Sequence, residues 1–157
     1  MAVHDNGAGN PVPRVSALLP PAYLAHLCEE WWGGPGFSAW TQATLGIGVS
    51  PDRFIAINAV ALPLFTVCII IALRNRRFAW FAAAFAALVT VNGLLHLLAT
   101  AAFAAYSPGV MTGVVLYIPL GGFVLHSMSR SLPPAVFGWA ICAGVALHAL
   151  VAMVAFA

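Results

Sequence analysis

Four stretches of about twenty mostly apolar residues fill the chain from Phe54 to its end, and they decide what it can fold into. They run from about Phe54 to Leu73, from about Phe78 to Ala105, from about Val110 to Met128, and from Pro133-Pro134 to the C-terminus. Each is long enough to cross a bilayer as a helix, the second with some tilt. Lipid offers no water to backbone N–H and C=O groups, so such segments must satisfy them internally as helices. The expected fold class is all-α, a polytopic transmembrane helix bundle of four to five spans. Pro63 marks an expected kink in the first stretch, and Pro119, Gly121 and Gly122 interrupt the third.

The fifth candidate is Ser16 to Trp32. Its apolar part covers only about 14 residues, short for a span. It reads either as a marginal crossing that starts at Pro20-Pro21, where proline is tolerated in a first helical turn, or as a half-inserted helix. Residues 33–51, with GGPG and SP, read as a connection with an interfacial turn around Phe37–Leu45. Trp31, Trp32 and Trp40 suit an aromatic belt at the membrane boundary. Residues 1–15 read as a polar, flexible tail, leaving one helical membrane domain over 16–157. SALLPPAYLA has the greasiness of a signal-peptide core. The two prolines and a large Tyr23 before Ala25 argue against cleavage there.

Composition narrows the function. The chain is 62% hydrophobic and 6% charged, against about 25% charged in a soluble domain. Its six basic residues are all arginine and its formal net charge is +2. That is too sparse for a nucleic-acid footprint. Cys28, Cys68 and Cys142 lack CxxC spacing and read as small packing residues rather than a disulfide or zinc framework. Arg74, Arg76 and Arg77 share one loop and Arg130 lies two crossings later, on the same side. If the first segment spans, Arg14 joins them and Arg53 stands alone opposite. The positive-inside rule makes the arginine-rich side cytoplasmic.

The polar residues left inside the grease carry the functional question. His26, Glu29 and Glu30 are spaced i, i+3, i+4, and Asn92 and His96 are i, i+4, so each set shares a helix face. His148 is alone in the last span. With five spans these six residues fall in the same half of the membrane, opposite the arginine-rich side, whereas His126 falls near the arginines. A carboxylate in a bilayer costs about 2.5–3.5 kcal/mol on insertion scales, so it is left at the boundary or paired. The candidate metal ligands are His26, Glu29, Glu30, His96 and His148, with Asn92 behind them. The candidate catalytic groups are His26, Glu29, Glu30 and Tyr106. The plain alternatives leave the glutamates at the lipid–water boundary beside Trp31 and Trp32, Asn92 as interhelical glue, and Tyr106-Ser107-Pro108-Gly109 as a turn.

Three motifs stand in order: H-L-C-E-E at 26–30, N-G-L-L-H at 92–96 and Y-S-P-G at 106–109. With this order the chain resembles the HXXEE family of small prokaryotic membrane proteins, which shows HxxEE, NxxxH and YxPG motifs. The resemblance implies a small helical membrane protein with these positions at its centre, and the expected location is a bacterial inner (cytoplasmic) membrane with the arginine-rich loops inside. It implies no reaction. The expected function is an integral membrane enzyme acting on a lipid or isoprenoid-like apolar substrate, among membrane lipids as partners. A single divalent metal, Zn, Fe or Mn, is the expected cofactor. A di-iron site fits less well, because bundle di-iron sites use four carboxylates. The competing classes are a proton or metal-ion transporter, a metal-free acid/base isomerase or cyclase, and a structural subunit.

Overall fold

The computed structural model describes residues 10–157, and residues 1–9, most of the expected tail, lie outside it. A 3-10 turn at Arg14–Leu18 leads into α1 (Leu19–Trp32), with Pro20 and Pro21 in its first turn. Short α2 (Phe37–Leu45) follows, then α3 (Pro51–Arg74), α4 (Trp80–Phe103), α5 (Val110–Ser131) and α6 (Pro134–Phe156). The last four are long and apolar enough to cross a membrane. The fold is an all-α helical bundle and an integral membrane architecture.

Cross-bundle contacts fix the directions. Asn10 donates to the carbonyl of Ala72, so the chain before α1 starts beside the arginine-rich end of α3. Glu29, near the end of α1, reaches the start of α5 at Met111 and Thr112. The 3-10 turn and α1 together therefore run from one end of the bundle to the other, beside the four helices long enough to cross a membrane. A 14-residue helix is about 21 Å long, and the 3-10 turn supplies the missing length at about 2 Å per residue. At the other end, Arg53 donates to the carbonyl of Ala155.

α4 is the axis. Ala82 through Ala87 are all buried, so neighbours approach it on several faces. Small residues make this possible, as expected where dispersion and close backbone contact replace the hydrophobic effect. A Cβ at Gly144 would collide with the carbonyl of Ala84, and one at Gly121 with Thr90. Gly93 and Gly113 face each other, and a Cβ on Gly93 would stand 2.9 Å from the Gly113 carbonyl oxygen. Gly144→Leu should force α6 off α4 and destabilise the bundle by about 3 kcal/mol or more, in the upper range of overpacking costs. Thermal melting in detergent reads this. An unchanged midpoint would show that α6 can shift freely.

Three sequence expectations are corrected. The third span is not broken: α5 is continuous, with a π-helical stretch at Gly113–Tyr117 just before Pro119. Proline has no N–H for the preceding turn and its ring crowds the carbonyl four residues back, and the wider turn absorbs that conflict. The second span stops at Phe103 rather than Ala105, because Ala104 takes a left-handed conformation (φ 49°) that ends the helix. Trp40 is buried, packed against Phe37 and Phe103, and so is not part of a boundary belt. Trp31 and Trp32 are exposed as expected.

Candidate functional site

The two halves of the HLCEE motif do different work. One residue turns about 100° on a helix, so Glu29 and Glu30 cannot both face one point although each neighbours His26 along the surface. The structure separates them accordingly. Glu30 turns inward with His26. Glu29 turns toward α5.

Among the described residues, His26, Glu30 and His96 form a buried cluster whose ligand atoms all lie within 4.8 Å of one another. Glu30 Oε1 stands 3.5 Å from His26 Nε2 and 3.3 Å from His96 Nε2. The imidazoles meet edge to face at 5.0 Å, and Tyr117 stacks on His26 at 4.3 Å. Each histidine is held by its other nitrogen: His26 Nδ1 lies 2.8 Å from Thr112 Oγ1, and His96 Nδ1 lies 3.1 Å from Ser107 Oγ. Hydroxyl partners at Nδ1 orient the rings so that both Nε2 atoms converge on the carboxylate.

The network assigns the His26 tautomer. Thr112 Oγ1 donates its single proton to the Glu29 carboxylate, with the Gly109 carbonyl as a longer alternative. It therefore accepts from His26 Nδ1–H, and the Nε2 of a neutral His26 is a bare lone pair. That lone pair points at a carboxylate oxygen and has no hydrogen-bond partner. Two opposed lone pairs in a buried place are unfavourable unless a cation lies between them. A proton or a metal ion meets that need.

Glu29 is the anchor of α5. Its oxygens accept from the N–H groups of Met111 (2.9 Å) and Thr112 (2.6 Å), from Thr112 Oγ1 and from the Tyr106 hydroxyl (2.7 Å). A carboxylate at a helix N-terminus satisfies orphan N–H groups and complements the dipole. Burial and the hydrogen bond to Glu29 push the Tyr106 hydroxyl up to about 12, so it remains a donor at physiological pH.

The YSPG motif is thus more than a turn. Tyr106 holds Glu29, Ser107 holds His96, and Gly109 lies flat against both imidazoles. A Cβ on Gly109 would stand 2.8 Å from each ring's Cε1, and its φ of 103° also excludes ordinary side chains. Gly33 and Gly34 make room for the Tyr106 ring, and a Cβ on Gly33 would meet the Tyr106 hydroxyl.

His148 and Asn92 lie outside the cluster. Asn92 Nδ2 is 3.4 Å from His148 Nε2, and Asn92 Oδ1 is buried without a partner. Both nevertheless line the same cavity as His26, Glu30 and His96, a space of about 880 Å³ lined by residues of all six helices. Most of its wall is apolar. Phe37 of α2 covers the cluster, 5.9 Å from the His96 ring and in contact range of Phe54 and Phe156. Tyr23 donates to Asn58 (2.6 Å) on the same wall. His126 is exposed toward the arginine-rich end, away from the site.

Thr112, Tyr117, Tyr23 and Asn58 join the site without a signal in the sequence. A lone Thr or Tyr in an apolar run carries no spacing signal. Ser107 and Gly109 were visible as members of YSPG, but their targets were not.

A polytopic helical membrane protein with a buried His/Glu cluster facing an apolar cavity is the class that these observations define. The chain belongs to the family described as "Protein of unknown function with HXXEE motif", whose model matches residues 17–124. That span contains the HLCEE, NGLLH and YSPG residues and stops short of His148. No curated protein and no solved structure matches the chain.

Proposed function

We propose that this protein is an integral membrane enzyme that uses one divalent metal, held by His26, Glu30 and His96, on a lipid or isoprenoid-like substrate. The observation that carries the proposal is the convergence of two imidazole Nε2 atoms and one carboxylate oxygen on a buried point in the wall of an otherwise apolar cavity. Donors bound at about 2.1 Å in a tetrahedron stand about 3.4 Å apart, and both carboxylate–imidazole separations fall at that value. Two nitrogens and one oxygen suit Zn, Fe or Mn.

The protein's own residues then have clear tasks. Ser107 and Thr112 fix the rings. Phe37 and Tyr117 keep water away. Asn92 and His148 offer polar contacts to a substrate group a helical turn from His96. The ion supplies Lewis acidity to that group. A cavity of this size is in the range of small-molecule sites, and its apolar wall matches a hydrocarbon substrate.

Transport is the weaker reading. Toward the arginine-rich end the core below the cluster is built from Phe65, Ile69, Val89, Val124 and Met128, and among the described residues no cluster of metal-ligating side chains continues the path. The test is elemental analysis of protein purified in mild detergent under metal-replete conditions, followed by incubation with a total lipid extract and mass analysis. Near-stoichiometric metal in the wild type and a mass change absent with His96→Ala are the expected results. Metal-free but well-folded wild type that still converts lipid would move the reading to acid/base chemistry by Glu30 and the histidines. Absence of both metal and lipid conversion in well-folded wild type would overturn it.

A further inference from the structure

The cavity has a charged mouth. Arg53 lines it where α3 begins, at the end of the bundle opposite the other arginines of the spans and loops. Its guanidinium makes one long hydrogen bond, 3.4 Å to the Ala155 carbonyl, and no carboxylate lies within salt-bridge distance among the described residues. Asp52 is its neighbour in sequence but does not pair with it. Two of the four acidic residues, Glu29 and Glu30, are committed to Thr112, Tyr106 and the histidines. A guanidinium has five donors, and most of these are free to take an anion.

Below Arg53 the wall is hydrocarbon. Val60 and Leu64 of α3 and Leu150 and Val154 of α6 line the cavity yet are exposed, Val60 at 69% and Leu64 at 59%. The opening therefore lies between α3 and α6 and faces sideways, where lipid is the solvent. Arg53 and Ala155 close its outer end. Along α6, Ala155 lies about 10 Å above His148, at 1.5 Å per residue. His148 touches Asn92, and Asn92 is one turn from His96. An anion at Arg53 would thus share one cavity with the cluster, along a wall that also carries His148 and Asn92.

The geometry points to an anionic amphiphile as the ligand: its acidic head, a phosphate or carboxylate, bound by Arg53, and its apolar tail entered sideways between α3 and α6. This deepens the enzyme reading above and takes its purpose from it, while the binding itself needs no metal. It also places the reacting bond near the head rather than at the far end of the tail. Charge complementarity selects the head, and a lipid-facing slot of about 880 Å³ selects the tail.

The experiment is native mass spectrometry of full-length protein released from mixed micelles holding equal amounts of phosphatidylglycerol and phosphatidylcholine. Four proteins are compared: wild type, Arg53→Gln, Arg76→Gln and Ala61→Trp, the last filling the tail slot. Wild type should retain one phosphatidylglycerol with at least a fivefold preference over phosphatidylcholine. Arg53→Gln should bring the preference to near unity, Ala61→Trp should abolish retention, and Arg76→Gln should change neither. Excess inorganic phosphate should not displace the lipid.

Equal retention of both lipids by wild type overturns the proposal. So does a preference lost with Arg76→Gln and kept with Arg53→Gln, which marks a general cationic surface. Full displacement by phosphate overturns it as well, since that marks a simple anion site. Metal content read beside lipid, with His96→Ala in parallel, separates the two ideas: His96→Ala that keeps the lipid preference but loses metal supports both, and wild type that holds metal but shows no lipid preference removes this one alone.

Discussion

Glu30→Gln is expected to lower metal affinity by at least about 100-fold while the protein still inserts and melts within a few degrees of wild type. The magnitude follows from what the substitution removes. Loss of an outer hydrogen-bond partner alone typically costs 10–100-fold, and Glu30 would supply a direct anionic ligand. Glutamine keeps the shape, so the cavity and the packing of His26 against Tyr117 survive. What changes is charge. In the wild type the buried carboxylate faces the bare Nε2 lone pair of a neutral His26, an unfavourable pairing that a cation between them relieves. The amide removes that demand and can donate to the bare Nε2 of His26. Stability is therefore preserved or slightly raised as affinity falls. Glu30→Asp keeps the charge but draws it back by one methylene, so partial affinity is expected. Isothermal titration with zinc, read beside thermal melting, checks the series. Equal zinc affinity in wild type and Glu30→Gln would remove Glu30 from the ligand set.

Much of this architecture is legible in the sequence, for physical reasons that can be named. Lipid as solvent leaves the chain few choices, so apolar run length finds α3 to α6 nearly to their ends. The Gly and Pro residues that bound Phe37–Leu45 isolate α2 in the same way. The segment from Ser16 to Trp32 is ambiguous because part of it is a 3-10 turn, whose greater rise lets fewer residues cover a given distance. The cluster was legible only in part. Helical spacing finds neighbours on one surface, but it cannot say which of Glu29 and Glu30 faces inward. That is decided by α5, whose N-terminus offers Glu29 the N–H groups of Met111 and Thr112. The π turn at Gly113–Tyr117 was hidden as well, since only tertiary packing on Gly93 and the constraint of Pro119 call for it. Depth along the helices puts His148, Asn92 and His96 in one half of the membrane, and in the structure all three line one cavity. It could not show that they pair with each other rather than with the cluster.

Glu29→Ala is the change expected to damage both fold and site. The side chain is only half-buried, and its value lies in its partners, not in burial. Removal strands the first N–H groups of α5 and the Thr112 hydroxyl. Losing a helix cap costs about 1 kcal/mol, and hydrogen bonds to a charged group are worth about 1.5–3 kcal/mol each, so a loss of about 3 kcal/mol is expected after solvent takes up part of the demand. The second effect passes through Thr112. Without the carboxylate, Thr112 Oγ1 is free to donate to His26 Nδ1, and the imidazole then carries its proton on Nε2, toward Glu30. A metal would have to displace that proton, so affinity should fall about 10–100-fold although no ligand has been touched. Glu29→Gln separates the effects: its amide oxygen still accepts from the α5 N–H groups, so most stability returns, but a neutral acceptor orders the threonine less firmly and affinity recovers only in part. Tyr106→Phe, which leaves the Thr112 contact intact, should cost stability modestly and leave affinity unchanged. Nitrogen-15 spectra of the His26 ring read the tautomer directly. Nδ1–H in wild type and a shift toward Nε2–H in Glu29→Ala are expected. An unshifted ring in Glu29→Ala with weakened metal binding would mean that Glu29 acts on the site through helix position alone.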